Sequence, residues 1–238
     1  MKIEIAIHCY NYQQRLNWML SSILQQKLSS CELVISIAYT PNNGKPSTES
    51  LISYFKNQGL SIIDVVLQKP LIFNRAVSRN HRVRKTSADW IVFADADMIY
   101  ETNFFETIAR QLNTSFKYET RVIGADRHSL EIDYCVEFLQ KTDVGYPCVI
   151  ENVYDIVSQW PLSYIAHGRR AAGYFQLVNT TVLKAKTSFY SKDTIQDNIV
   201  YANYPSDKIF RQYMGGRVRM NTPKQYHLNH YRNHQEQK

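Results

Sequence analysis

The sequence predicts an α/β protein built on a Rossmann-like, doubly wound sheet. Three observations carry that prediction. Strand-like and helix-like segments alternate with short connections across the first 112 residues. An apolar run, Trp90-Ile91-Val92-Phe93-Ala94, leads straight into two carboxylates, Asp95 and Asp97. No internal repeat, linker or low-complexity stretch interrupts the chain.

The elements follow in order. Residues 3–9 read as a first strand: a short apolar run carrying Glu4 and followed by His8 suits a strand better than a signal peptide. Leu16, Met19, Leu20, Ile23 and Leu24 recur at helical spacing, which predicts a helix over 13–27. Residues 32–38 form a second strand, and the breakers in 40–46 a loop. Ser47 caps a helix that runs to about Asn57, closed by Gly59. Residues 62–67 are a third strand. Phe73 to Ser87 reads as a helix with Arg75, Arg79, Arg82, Arg84 and Lys85 on it. The last three of these are expected on a solvated face.

The run at 90–94 has the continuous apolar character of a strand buried on both faces. An unpartnered carboxylate is costly to bury, so the strand should end where Asp95 and Asp97 begin. That places the pair at the carboxyl edge of a parallel sheet, where open α/β folds hold ligands. Two converging carboxylates suit a hard divalent cation. A helix over 102–112 follows. Right-handed crossovers between these strands give a doubly wound sheet.

Beyond Leu112 the pattern loosens. Residues 121–125 read as a strand, 131–165 as irregular, 173–178 as a strand and 179–185 as a short helix. A mostly helical stretch spans 197–213, and a polar, His-rich tail starts at Asn221. The division is one domain over 1–238, with a first half at about 1–112 and a second half with its tail at about 113–238.

Composition narrows the classes. The chain of 238 residues is 44% hydrophobic, enough for one substantial core. Its apolar runs fall short of the ~20 residues a membrane span needs. Cys9, Cys31, Cys135 and Cys148 show no CxxC spacing, which disfavours a zinc site or disulfide framework and points to free thiols in a reducing, cytoplasmic compartment. The net charge of +7 favours anionic ligands or peripheral contact with an anionic membrane. A dinucleotide fingerprint and a phosphate-binding P-loop are both absent.

The order of motifs resembles a glycosyltransferase of the GT-A fold, most closely the inverting family 2. Ile5-Ala6-Ile7 with Tyr10-Asn11, then Leu20-x-Ser22-Ile23-Leu24-Gln25-Gln26, is similar to that family's first strand and helix. Phe73-Asn74-Arg75-x-x-Ser78-Arg79-Asn80 followed by Ala88-Asp89-Trp90-Ile91-Val92-Phe93 is similar to its "ARN…GDWIxF" segment. Ala94-Asp95-Ala96-Asp97-Met98 resembles its DxD motif. Gly173-Tyr174-Phe175 and Ser206-Asp207-Lys208-Ile209-Phe210-Arg211 resemble its acceptor strand and its "(E/D)DxxLxxR" segment, and His227-Leu228-Asn229-His230 a C-terminal His motif.

The resemblance implies a mixed, Rossmann-like sheet and sugar transfer from a nucleotide-sugar, UDP-linked as first choice, to a glycan, lipid-linked glycan or glycoprotein, with a nucleotide-sugar-binding half at about 1–112 and an acceptor-binding half with its tail at about 113–238. It implies Mn²⁺ or Mg²⁺ at Asp97, with Asp95 on the ribose or the metal and His227 or His230 as further ligands. It places His8, Tyr10, Asn11, Arg75, Arg79, Asn80 and Ala96 around the donor. It makes Asp207 the base that deprotonates the acceptor hydroxyl, with Asp193 and Asp197 as rivals. Gly173 would allow close approach to the sugar, Gln176 would touch the acceptor, and Trp160 would either do the same or belong to the core. Nucleic acid is not an expected partner, and the oligomeric state is left open.

One departure stands out. The family's acidic "DDGS" turn after strand two is replaced by Ala38-Tyr39-Thr40-Pro41-Asn42-Asn43-Gly44, so the base contact falls to Asn42, Asn43 or Tyr39. The rival readings are a sugar-phosphate nucleotidyltransferase, which wants a Gly-rich basic loop after strand one, and a non-catalytic carbohydrate- or nucleic-acid-binding protein.

Overall fold

The computed structural model describes residues 1–41, 47–69, 71–141, 147–167, 174–185, 210–212 and 214–230. In the first half the elements are β1 (Lys2–His8), α1 (Gln13–Leu24), β2 (Glu32–Tyr39), α2 (Thr48–Asn57), β3 (Ile62–Val66), α3 (Arg75–Lys85), β4 (Trp90–Asp95), β5 (Met98–Tyr100) and α4 (Phe104–Asn113). The second half adds β6 (Val122–Gly124), β7 (Arg127–Leu130), α5 (Ile132–Lys141), α6 (Val153–Ser158), β8 (Leu162–Ala166), β9 (Phe175–Asn179), α7 (Thr180–Ala185), β10 (Arg217–Arg219) and β11 (Gln225–His227).

Seven strands form the central sheet in the order β10-β6-β9-β4-β1-β2-β3. Strands β1 to β4 are mutually parallel, as the alternating pattern requires. Strand β9 inserts antiparallel between β4 and β6, which makes the sheet mixed. The apolar run in β4 lies at the middle of this sheet, and Ile91, Val92 and Phe93 are fully buried. A smaller sheet, β5-β11-β7-β8, stands beside it.

Several sequence expectations change. The stretch at 131–165 is not irregular but holds α5, α6 and β8. Cys135 with Leu139, and Val153 with Val157, keep helical spacing and bury against Trp18 and Trp160. Those short apolar stripes are diluted by acids and tyrosines, so the period is hard to see. The polar, His-rich tail from Asn221 also contains a strand. Residues 225–227 pair with β5 on one side and β7 on the other, and all three are buried. Three residues are too few to show a period. The helix expected from Phe73 begins at Arg75, because Leu71–Phe73 makes a 3₁₀ turn and Asn74 caps α3, its Oδ1 accepting from Ala76 N at 3.0 Å.

Arg82 corrects the expectation of a solvated basic face. Arg84 and Lys85 are exposed, but Arg82 is buried and donates to Glu4 through Nε (2.7 Å) and Nη2 (2.9 Å). Ser36 Oγ on β2 donates to the same carboxylate at 2.6 Å. A buried carboxylate demands such compensation. The result fastens α3 to β1 and β2, and so fixes the helix whose first turn reaches the edge of the sheet.

The remaining long-range expectations fall where they can be placed. All four cysteines are free. Among the described residues, no helix is long and apolar enough to cross a membrane.

Candidate functional site

The carboxyl ends of β1 and β4 lie side by side, with His8 in register with Asp95. Asp95 closes β4 and Asp97 begins the turn into β5. Burying Asp97 is possible because β11 returns beside β5, and Leu228 N donates to Asp97 O at 2.9 Å. That placement brings two imidazoles to the carboxylate. His227 Nε2 is 3.2 Å and His230 Nε2 is 3.5 Å from Asp97 Oδ2. One donor atom from each of Asp97, His227 and His230 lies within 4.8 Å of the others.

The electrostatics of Asp97 are opposed. Burial raises its pKa, while charge from His227 and hydrogen bonds from His227 and His230 outweigh that and hold it well below the usual carboxylate range. Asp97 Oδ1 and His227 Nδ1 are buried without a hydrogen-bond partner. Orphaned lone pairs on a carboxylate between two imidazoles suit a divalent cation with mixed oxygen and nitrogen ligands.

The other residues expected on the donor side lie on α3, at the ends of β1 and β4, and in the turns after those strands. Asp95 is not part of it; its Oδ1 accepts from Arg75 Nη1 at 3.3 Å at the start of α3. Ala96 is buried between the two carboxylates. Arg79 is buried with its guanidinium 5.3 Å from the Phe93 ring, and Asn80 is buried beside it. His8 Nδ1 is 3.1 Å from Ser78 Oγ. Burial, and then the charges of Arg75 and Arg79, push the His8 pKa down to about 3, so its ring is neutral. A small pocket lined by Ile7, His8, Ala38, Ser78, Arg79 and Arg82 opens here.

Tyr10 stands edge-on to Phe73, ring centroids 4.9 Å apart. Asn11 has φ 59, a left-handed turn that asparagine tolerates. It sends Tyr12 toward His230, whose ring Tyr12 Oη touches. Tyr39 is buried at the end of β2.

One acceptor-side expectation fails, and Trp160 takes its core alternative. Gln176 is fully buried within β9, and Trp160 is buried against Trp18 and Phe138. Neither presents a surface to an acceptor. Asp207 with its rivals Asp193 and Asp197, and also Gly173, Asn42 and Asn43, lie outside the described residues. Ser78, which stands in the motif before Arg79 without an assigned role, and Tyr12, which the sequence does not single out, touch the predicted residues His8 and His230.

The fold and this edge of the sheet define a glycosyltransferase of the GT-A type. The Glycosyl transferase family 2 model matches residues 4–123, and the chain belongs to that family. No curated protein sequence matches the chain. The chain resembles the crystal structure of S. aureus TarS 1–349 in complex with UDP, with TM-score 0.64 and 12% identity over 97% of this chain and 61% of that one. The complex of the same TarS fragment with UDP-GlcNAc covers 98% of this chain and 59% of that one at TM-score 0.63 and 12% identity. A mannosyltransferase, PcManGT from Pyrobaculum calidifontis, in complex with GDP-Man and Mn²⁺, has TM-score 0.54 and 12% identity over 95% of this chain and 56% of that one. At such identity the likeness is one of fold, and the chain spans only about 36% to 61% of the TarS chains it matches.

Proposed function

We propose that this chain transfers a sugar from a nucleotide-sugar, UDP-linked, to a hydroxyl of a glycan, lipid-linked glycan or glycoprotein, with a divalent cation and with inversion. The observation that carries this reading is the Asp97, His227 and His230 cluster at the carboxyl edge of the sheet. The UDP, UDP-GlcNAc and GDP-Man held by the similar structures support a nucleotide-sugar as donor. In this reading both sheets form one catalytic domain over residues 1–238.

Asp97, His227 and His230 would hold the ion, with Asp95 as a further candidate ligand, and the mixed donor set would favour Mn²⁺ over Mg²⁺. When bound, the ion supplies Lewis-acid stabilisation for a leaving diphosphate. The chain's own groups do the rest. Arg75, in the first turn of α3, adds a cation where that helix already favours anions. Neutral His8 offers a hydrogen bond to the nucleotide without adding charge. Tyr10 and Phe73 give apolar faces to the base, in place of the absent acidic turn. Asp207, in its family-like segment, accepts the proton of the attacking hydroxyl on the side opposite the leaving group.

The test is a panel of nucleotide-sugars, scored for hydrolysis and for binding of the nucleotide with Mn²⁺ and with EDTA. Metal-dependent binding that Asp97→Ala abolishes is expected. No metal-dependent binding, or full activity in Asp97→Ala, rejects the reading. Asp207→Asn is expected to bind donor normally and lose transfer, and the anomeric configuration of the product reports inversion.

A further inference from the structure

The small sheet carries an unassigned feature on the same face as His227. His227 is in register with Ser129 on β7, and Ser129 with Tyr164 on β8. Register partners share a face, and so does Arg127, two residues before Ser129. Tyr164 therefore lies two strands from a member of the proposed metal cluster, about 10 Å away. Ser129 between them is fully buried, and Tyr164 is exposed beyond it.

Arg127 is held in an uncommon way. Its guanidinium carbon lies 4.4 Å from the Tyr174 ring centroid and 5.7 Å from that of Tyr164, and Nη2 donates to Tyr164 Oη at 2.7 Å. No carboxylate lies within ion-pair distance of it among the described residues. Its Nε is buried with no partner. The neighbouring carboxylate, Asp126, is engaged by Arg219 and by His167. Tyr174 is buried, and its Oη sits 3.2 Å from both Ala125 O and Ala166 O. The tyrosines thus fix the cation's plane without neutralising it. Tyr164 remains 48% exposed, so one face of a ring bonded to that cation is open to solvent.

A planar, positionally fixed guanidinium with spare donors matches a carboxylate or phosphate, and an open aromatic face matches the apolar face of a sugar ring. We propose that Arg127 and Tyr164 form an acceptor subsite for a sugar bearing an anionic group. This rests on the glycosyltransferase reading only for the word acceptor; the recognition itself is a binding property of the folded chain.

The experiment titrates the full chain by NMR with three probes: methyl glucoside, methyl glucuronide and glucose 6-phosphate. One anionic probe is expected to bind about tenfold more tightly than the glucoside, the scale of a charge-assisted hydrogen bond. A preference for the glucuronide assigns a carboxylate, and one for glucose 6-phosphate a phosphate. Arg127→Gln should erase the preference and Arg127→Lys should retain part of it, with Mn²⁺-dependent UDP binding unchanged in both. Tyr164→Ala should weaken all three probes alike. Equal binding of the three probes, or a preference that persists in Arg127→Gln, overturns the proposal. Loss of UDP binding in the unmodified chain, with the anion preference intact, faults the donor reading and leaves the subsite standing.

Discussion

Tyr12 and His230 are 218 positions apart, yet Tyr12 Oη lies 3.3 Å from His230 Nε2 and 3.4 Å from Nδ1. Their rings meet edge to face with centroids 5.2 Å apart. The left-handed turn at Asn11 sends Tyr12 into that position. A metal-ligating histidine is oriented by the groups around its ring, and Tyr12 Oη lies against both nitrogens of His230. Tyr12→Phe keeps the ring contact and removes the hydroxyl. It should weaken Mn²⁺ binding roughly tenfold or more while the melting temperature barely moves. Titration of Mn²⁺ followed by electron paramagnetic resonance reads this without any acceptor. An unchanged affinity would mean that the hydroxyl does not orient the ring.

The two histidines should not be equivalent. His227 is the closer to Asp97 and the more deeply buried of the two, because β11 fixes it from both sides. His227→Ala should therefore cost more Mn²⁺ affinity than His230→Ala in the same titration. Equal losses would show that backbone anchoring contributes nothing.

Stability should depend on pH through His8. Its folded pKa is lowered to about 3 by burial and then by Arg75 and Arg79; Asp95, its strand partner, does not prevent this. Between about 3 and the ordinary 6.5, the unfolded chain binds a proton that the folded chain refuses. Stability is thus complete above 6.5 and falls as pH drops through that window, by up to about 1.4 kcal/mol per pH unit from this group. Thermal melts from pH 4 to 7 should show a shallower slope in His8→Gln than in the parent chain. Parallel slopes would reject His8 as the source.

The buried Glu4–Arg82 pair predicts an asymmetry between single and double changes. Glu4→Met leaves the Arg82 guanidinium buried without its charge partner, and Arg82→Met strands Glu4 in the same way. Each should lose about 3–5 kcal/mol in denaturant unfolding, while Glu4→Met with Arg82→Met should lose far less than their sum. Additive losses would mean the two residues act independently. The pair anchors the helix that carries Arg75 and Arg79, so the single changes should also weaken donor binding.

The donor half was readable because its signals are long. An apolar run such as 90–94 has one good explanation, and the spacing of Leu16, Met19, Leu20 and Ile23 has another. The candidate site was half readable for the same reason: Asp95 and Asp97 end a strong strand, and His227 and His230 rest on a motif. What escaped depends on contacts between distant positions. Arg82 sits among four other basic residues that look alike in sequence, and only Glu4 and Ser36 across the sheet distinguish it. Strand β9 reverses direction relative to β4, and nothing in its own five residues states which way its neighbours run. Gln176 looks like an exposed polar contact until the central sheet closes over both of its faces. Strands of three residues, such as β5 and β11, exist only because they pair with each other.

That last pairing sets a clock. β5 ends at Tyr100 and its partner β11 begins at Gln225, so 125 further residues (225 − 100) are made before the strand can be matched. At about 5–20 residues per second of synthesis, this is a wait of roughly 6–25 s. Throughout it, β1 to β4 can pair among themselves while Asp97 has no imidazole beside it. A nascent chain thus has the outline of a donor site before it has the Asp97, His227 and His230 cluster. Metal affinity would arrive last, and would report that the far end of the described chain has reached its place.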